Sequence, residues 1–210
     1  MRSEEVQNKE KVIFTTTKPD ASTHDCVIAV RKDYAVTYQN GDHSHFEEGQ
    51  QVTLYSLLDS TLTIEVEVFR IRKMHDVIIF KTIGDTCFEF FIDYDRHRYL
   101  PNSCHLLGVN KETRTPEWKE GTLFIPKPQD RGQSCVTFEG EPGSAVMDDN
   151  GMLYGFISVK RRNEITLTNY YNMCLPQEDD ESCHLLEANK ETCTPAWKQG
   201  KCFIPEPQDH

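Results

Sequence analysis

No stretch of this 210-residue sequence approaches the ~18 apolar residues that a membrane helix needs, and no membrane partner is expected. Basic residues are scarce: 23 Lys and Arg stand against 34 Asp and Glu, for a formal charge of −11. That balance leaves no surplus to neutralise phosphates and excludes a general nucleic-acid binder. The one short basic run, Lys160-Arg161-Arg162, reads as a solvated turn. The N-terminal MRSEEVQNKE lacks the apolar core of a signal segment, so the expected location is intracellular, cytoplasmic or nuclear. In that setting the eight cysteines are reduced thiols. A secreted fragment with a disulfide framework is the alternative, and the cysteine spacing does not decide between them. C-x-x-C pairs are missing, and neither a cofactor nor a metal site is expected. Also missing is any segment with a sustained helical period, which leaves an all-β chain.

What is present is a succession of short β-rich runs. Residues 1–10 read as a flexible leader. Lys11–Thr17, Cys26–Val30, Tyr34–Tyr38, Gln51–Leu57, Leu62–Arg70 and Asp76–Thr82 follow as six strands. The fifth alternates cleanly, with Leu62, Ile64, Val66 and Val68 on one face and Thr63, Glu65 and Glu67 on the other. Six short strands suit a small closed barrel, which removes sheet edges. A second set consists of Cys87–Ile92, His105–Val109, Gly121–Ile125, Cys135–Phe138, Ala145–Met147, Met152–Val159 and Ile165–Tyr170. The expected domains are a first barrel over 11–84 and a second over 85–174. Strand counting alone leaves a β-sandwich as the runner-up.

The stretch Cys135–Val159 (CVTFEGEPGSAVMDDNGMLYGFISV) runs strand, glycine turn, strand, turn, strand. It resembles the nucleophile loop and following hairpin of the chymotrypsin-like (trypsin-fold) serine proteases, especially the compact HtrA-like and viral kinds. Gly140, Gly143, Ser144, Ala145, Val146, Gly151 and Gly155 fall in place without a gap, and the nucleophile's position holds Pro142. Upstream, Tyr34–Asn40 (YAVTYQN) fits the strand that delivers the catalytic histidine, with Asn40 at the histidine's place. His75–Lys81 (HDVIIFK) fits the strand of the buried aspartate, with Asp76 in position. The resemblance covers about residues 11 to 171. It implies two antiparallel β-barrels of trypsin-like type.

The same resemblance implies that protease chemistry is lost. An Asn40 amide cannot take a proton as a general base. Pro142 offers neither hydroxyl nor thiol. It also lacks the N–H that, with that of Gly140, would hold the oxyanion, and losing one such donor costs roughly 10²–10³ in rate. Asp76 is equally compatible with a structural role as an acceptor for nearby backbone. The implied function is a catalytically inactive homologue that binds a protein or peptide, in the interbarrel cleft or at a strand edge. Two alternatives stand beside it. One is an intracellular serine endopeptidase with a shifted site, using Ser144 with His43 or His45. The other is a decayed paralogue without a selected function.

A repeat completes the sequence. Ser103–Asp130 and Ser182–Asp209 share 20 of 28 residues at an offset of 79. Identity at polar positions such as Asn110/Asn189, Lys111/Lys190 and Glu112/Glu191 exceeds what packing alone would preserve, and points to copying of one gene segment. Residues 175–210 are thus an acidic linker plus a duplicate of 103–130, expected to attach loosely. The duplicate carries the first copy's sequence, so a strand-swapped dimer through 182–209 is a further expectation.

Overall fold

The computed structural model describes residues 4–92, 103–124, 135–137, 141–148, 151–160, 164–169, 184–188 and 195–199. It divides into two compact units, Met1–Cys174 and Leu175–His210.

The first unit opens with a short helix, α1 (Glu4–Glu10), within the stretch read as a leader. Six strands follow: β1 (Ile13–Thr15), β2 (Cys26–Arg31), β3 (Tyr34–Thr37), β4 (Gln51–Ser56), β5 (Thr63–Arg72) and β6 (Val77–Thr82). They close a barrel in the order β1-β2-β3-β6-β5-β4. The closing pair is β1 with β4, Phe14 opposite Ser56 and Thr15 opposite Tyr55. The alternation of β5 sends Ile64, Val66 and Val68 inward, where the register places Phe14, Val27, Ala29, Leu54, Ile78 and Phe80 on the same face. Closure buries this set without leaving unpaired backbone.

The second set forms a six-stranded sheet in the order β12-β11-β10-β7-β8-β9. Its members are β7 (Ser103–Asn110), β8 (Thr115–Phe124), β9 (Cys135–Thr137), β10 (Ala145–Met147), β11 (Leu153–Lys160) and β12 (Glu164–Asn169). This overturns the second of the two expected barrels. Among the described residues the sheet stays open, because its end strands β9 and β12 share no ladder. The edge strand β9 is three residues long and pairs only with β8. The expected strand Cys87–Ile92 is also absent. Its backbone makes single bonds to the barrel instead, from Phe88 N–H to Lys32 O and from Ile92 N–H to Ala29 O. Phe88 then lies edge-on to Phe14, ring centroids 5.1 Å apart. The run is apolar because it covers the barrel, not because it extends a sheet.

The β7–β8 hairpin ties the sheet to the barrel. Asn110 Oδ1 accepts the N–H groups of Glu112 and Thr113 and so folds the loop Lys111–Arg114 back on itself. Arg114 ends that loop at φ 53° and donates its guanidinium N–H groups to Leu57 O and Ser56 O, at the end of β4. Trp118 Nε1 donates to Glu10 Oε1 at 2.8 Å, fastening α1 to β8.

The second unit holds a two-stranded sheet of its own, β13 (His184–Ala188) and β14 (Pro195–Gln199). Leu186 pairs with Trp197 and Ala188 with Pro195, as Leu107 pairs with Trp118 and Val109 with Pro116 in the first copy. The duplicated segment thus keeps its register.

Candidate functional site

Two loops of the barrel carry the first pair of sequence-predicted residues. Asn40 follows β3, and Asp76 immediately precedes β6. Buried Asp76 brings them together: its Oδ1 accepts the backbone N–H of Gln39 at 2.9 Å and that of Asn40 at 2.6 Å. It reaches them from φ 54°, a left-handed conformation that aspartate tolerates better than most residues. Its carboxylate therefore fixes the main chain at position 40.

Pro142 lies in a tight turn, Glu141–Ser144. Ser144 N–H donates to Glu141 O at 3.1 Å, and Gly143 has φ 87°. Proline second and a left-handed glycine third make this a type II turn. Gly143 N–H donates to Ile157 O at 2.7 Å, which anchors the turn on β11. A Cβ on Gly143 would stand 2.4 Å from Cys26 O, so the turn rests directly on the barrel at the start of β2. Gly140, the other residue expected to shape this turn, lies outside the described residues.

One side chain that the sequence did not single out joins these loops. Lys111, from the β7–β8 loop, places its ammonium 3.0 Å from Asp25 Oδ1, 3.9 Å from Asp42 Oδ2 and 3.8 Å from Glu141 Oε2. Asp42 lies two residues after Asn40, and Glu141 immediately precedes Pro142. The loop of Asn40 and the turn of Pro142 therefore converge on one ammonium. Asp25 also accepts the Tyr38 hydroxyl at 2.7 Å. Burial alone would raise the Asp25 carboxyl. The Tyr38 hydroxyl, nearby His43 and Lys111 together bring it below the ordinary carboxylate range. For Lys111 burial works the other way, but the bond to Asp25 and the charges of Asp25, Glu141 and Asp42 raise it, so the lysine stays protonated. Burial and the Asp25 bond raise Tyr38 strongly, and it remains a neutral donor.

The residues of the shifted site do not meet. His43 is buried under the barrel wall, its ring 4.7 Å from that of Tyr38 and 5.5 Å from that of Phe46. Its Nδ1 lies 3.1 Å from Tyr38 O, a carbonyl that can only accept, so Nδ1 carries the proton. Its Nε2 then accepts from the Thr16 hydroxyl at 3.1 Å. Burial lowers the His43 pKa and keeps the ring neutral. His45 is exposed, with Nδ1 donating to Asp42 O at 2.8 Å. Ser144 is 3% exposed and faces Gly108 of β7. Neither imidazole bonds to it. Among the described residues, no group of three or more His, Cys, Asp and Glu side chains is arranged to hold a metal ion.

No protein-family model and no curated protein matches the chain. Solved structures do. The MamO protease domain from Magnetospirillum magneticum, in its apo form, superposes with a TM-score of 0.56 at 11% identity, covering 80% of this chain and 96% of that one. A serine-to-alanine mutant of Rv3671c from M. tuberculosis, in an inactive form, gives 0.54 at 11% identity, with 80% and 85% covered. The serine endoprotease from Yersinia pestis gives 0.54 at 11% identity, with 82% of this chain and 64% of that chain covered. At such identity the likeness is one of architecture: the chain is structurally similar to the trypsin-like serine-protease fold.

Proposed function

We propose that this chain is a non-catalytic homologue of the trypsin-like serine proteases, and that it acts by binding a protein or peptide. One observation carries the first half. The place organised by Asp76 and the Glu141–Ser144 turn presents an amide at Asn40 and a proline at Pro142, with Lys111 between the two loops. None of the three can start an acyl transfer. Asparagine is no base, proline is no nucleophile, and a lysine held protonated by three carboxylates has no lone pair to offer near neutral pH. The binding half rests on what is left when chemistry is removed: the exposed Asp42 and partly exposed Glu141 that flank Lys111 between the two loops, and the strand edges of an open sheet.

Labelling the purified full chain with a fluorophosphonate probe tests the first half, with casein hydrolysis as a second readout. No labelling and no hydrolysis above buffer are expected. Labelling that disappears in Ser144→Ala overturns the reading in favour of the shifted protease. Selection from a displayed peptide library tests the second half. An enriched sequence that binds the full chain and loses affinity at least tenfold in the Asp42→Lys/Glu141→Lys variant supports a site there. Failure of the library to enrich any sequence removes the binding role.

A further inference from the structure

The two copies of the hairpin share sequence and register, and a copy that matches its original invites exchange. The β7–β8 place in the fold is narrowly shaped, however, and the eight differences between the copies include three of its contacts. The first is Gly108. It sits in β7 one step beyond the pair Leu107–Ala145, against Ser144, where β7 runs alongside β10. A Cβ added there would lie 2.1 Å from Ser144 Oγ and 3.0 Å from Ser144 Cβ. The hydroxyl could rotate away, but Ser144 Cβ would still press on the new atom. The matching residue of the second copy is Glu187, at the same register step in β13: it pairs with Ala196 as Gly108 pairs with Glu117. The second contact is Arg114, whose guanidinium holds Leu57 O and Ser56 O. The second copy has Cys193 there, which cannot span that gap. The third is Val109, 1% exposed, replaced by Ala188.

The remaining grips are retained. Leu106 and Leu107 recur as Leu185 and Leu186, Lys111 as Lys190, and Trp118 as Trp197. We infer that the C-terminal hairpin is barred from the β7–β8 place, in its own chain or in a second copy, and that Glu187 opposite Ser144 is the principal bar, reinforced by Cys193 and Ala188. The second copy is then not a spare part for its own fold. A carboxylate-bearing side chain in a gap closed by Ser144 combines overpacking with burial of a charge.

The experiment repairs the copy and damages the original. In the full chain, Gly108→Glu is expected to lower Tm by roughly 5–10 °C or to prevent folding. Gly108→Ala has a smaller effect, which Ser144→Gly should relieve at least in part. In the Gly108→Glu background, adding Glu187→Gly, Ala188→Val and Cys193→Arg should restore most of the lost Tm. The repaired hairpin can then enter the vacated place, within the chain or across a dimer seen by sedimentation. The same three repairs in the otherwise natural chain should produce a dimer after refolding at high concentration, whereas the natural chain stays monomeric. Three results would overturn the inference: an unchanged Tm in Gly108→Glu, no rescue by the triple repair, or exchange-dependent dimers of the natural chain that survive Glu187→Lys.

Discussion

Asp76 holds Asn40 by the main chain: its Oδ1 accepts the Asn40 N–H at 2.6 Å, and that of Gln39 at 2.9 Å. The carboxylate is buried, and it sits where β6 begins while its partners sit where β3 ends. It thus splices two barrel loops whatever side chain position 40 carries. This explains how an aspartate fits a site with no base for it to orient.

Replacing Asp76 separates this role from any catalytic one. Asp76→Ala removes the acceptor for two N–H groups and leaves alanine at φ 54°. A loss of about 3–6 kcal/mol in folding stability is expected, since two hydrogen bonds to a charged group contribute ~1.5–3 each. Asp76→Asn keeps a side-chain carbonyl and tolerance of the left-handed region, and should lose about 1 kcal/mol. Denaturant titrations compare the two. Equal losses would show that the acceptor oxygen is not what matters.

Gly143 and Gly49 form a matched pair. Their φ values are 87° and 82°, but a Cβ at Gly143 would strike Cys26 O at 2.4 Å while nothing lies within 4 Å of one at Gly49. Gly49→Ala should lose about 1–2 kcal/mol, the penalty for a left-handed residue. Gly143→Ala should lose that and about 1–3 kcal/mol more, because a backbone carbonyl cannot move aside cheaply. The difference between the two melting curves measures how tightly the Pro142 turn is pressed on the barrel.

Acid should weaken the fold in two stages. Burial lowers the pKa of His43 below its ordinary value, and burial with Arg114 does the same for His24. Below about pH 6.5 the unfolded chain therefore binds protons that the folded chain refuses, and stability falls as pH drops. The Asp25 carboxyl is also lowered, so its contribution persists to more acid pH and is lost as pH falls through its folded value. Lys111 is raised, and its contribution is lost at the alkaline end, as pH rises through its folded value. In His43→Gln the slope of stability between pH 6.5 and 5 should shrink by up to about 1.4 kcal/mol per pH unit, leaving a remainder to His24. An unchanged slope would place the proton uptake elsewhere.

Ending the chain after residue 174 should leave the first unit nearly as stable as in the full protein. The cut coincides with the boundary between Cys174 and Leu175. The second unit's two strands pair with each other, and the 175–210 segment begins with the acidic run Glu178–Glu181. Ordering such a segment costs ~1–2 kcal/mol of backbone entropy per residue, and it carries Lys201 and Cys202 where the first copy has Thr122 and Leu123. Thermal unfolding of both forms decides it: a fall of more than a few degrees would show that the duplicate is built into the first unit.

The barrel was legible because alternation carries it. β5 declares its inner face at Ile64, Val66 and Val68, although Leu62, expected on the same face, precedes the strand and is exposed; β2, β3, β4 and β6 begin and end within a residue or two of the runs that suggested them. Cys87–Ile92 misled because the apolar residues that would pair in a sheet can equally cover one. Phe88 and Ile92 are buried either way, and only the free backbone of a neighbour distinguishes the outcomes. Closure of the second sheet was not legible either, since a seam between β9 and β12 leaves no mark in the pattern of either strand. At the site, Asn40, Asp76 and Pro142 could be named because each stands in a turn beside a recognisable strand: Asn40 after β3, Asp76 before β6 and Pro142 before β10. Lys111 could not. Its partners Asp25, Asp42 and Glu141 come from three separate stretches, and its only sequence signal was membership of a repeated polar run.

The bond between Trp118 and Glu10 gives the molecule an optical consequence. The sequence has two tryptophans, Trp118 and Trp197. One belongs to the Met1–Cys174 unit and the other to the Leu175–His210 unit. Intrinsic emission is therefore a sum with one indole from each unit. Trp197→Phe leaves a fluorophore whose N–H reports directly on the docking of α1 against β8, and Trp118→Phe leaves one that follows the β13–β14 unit alone.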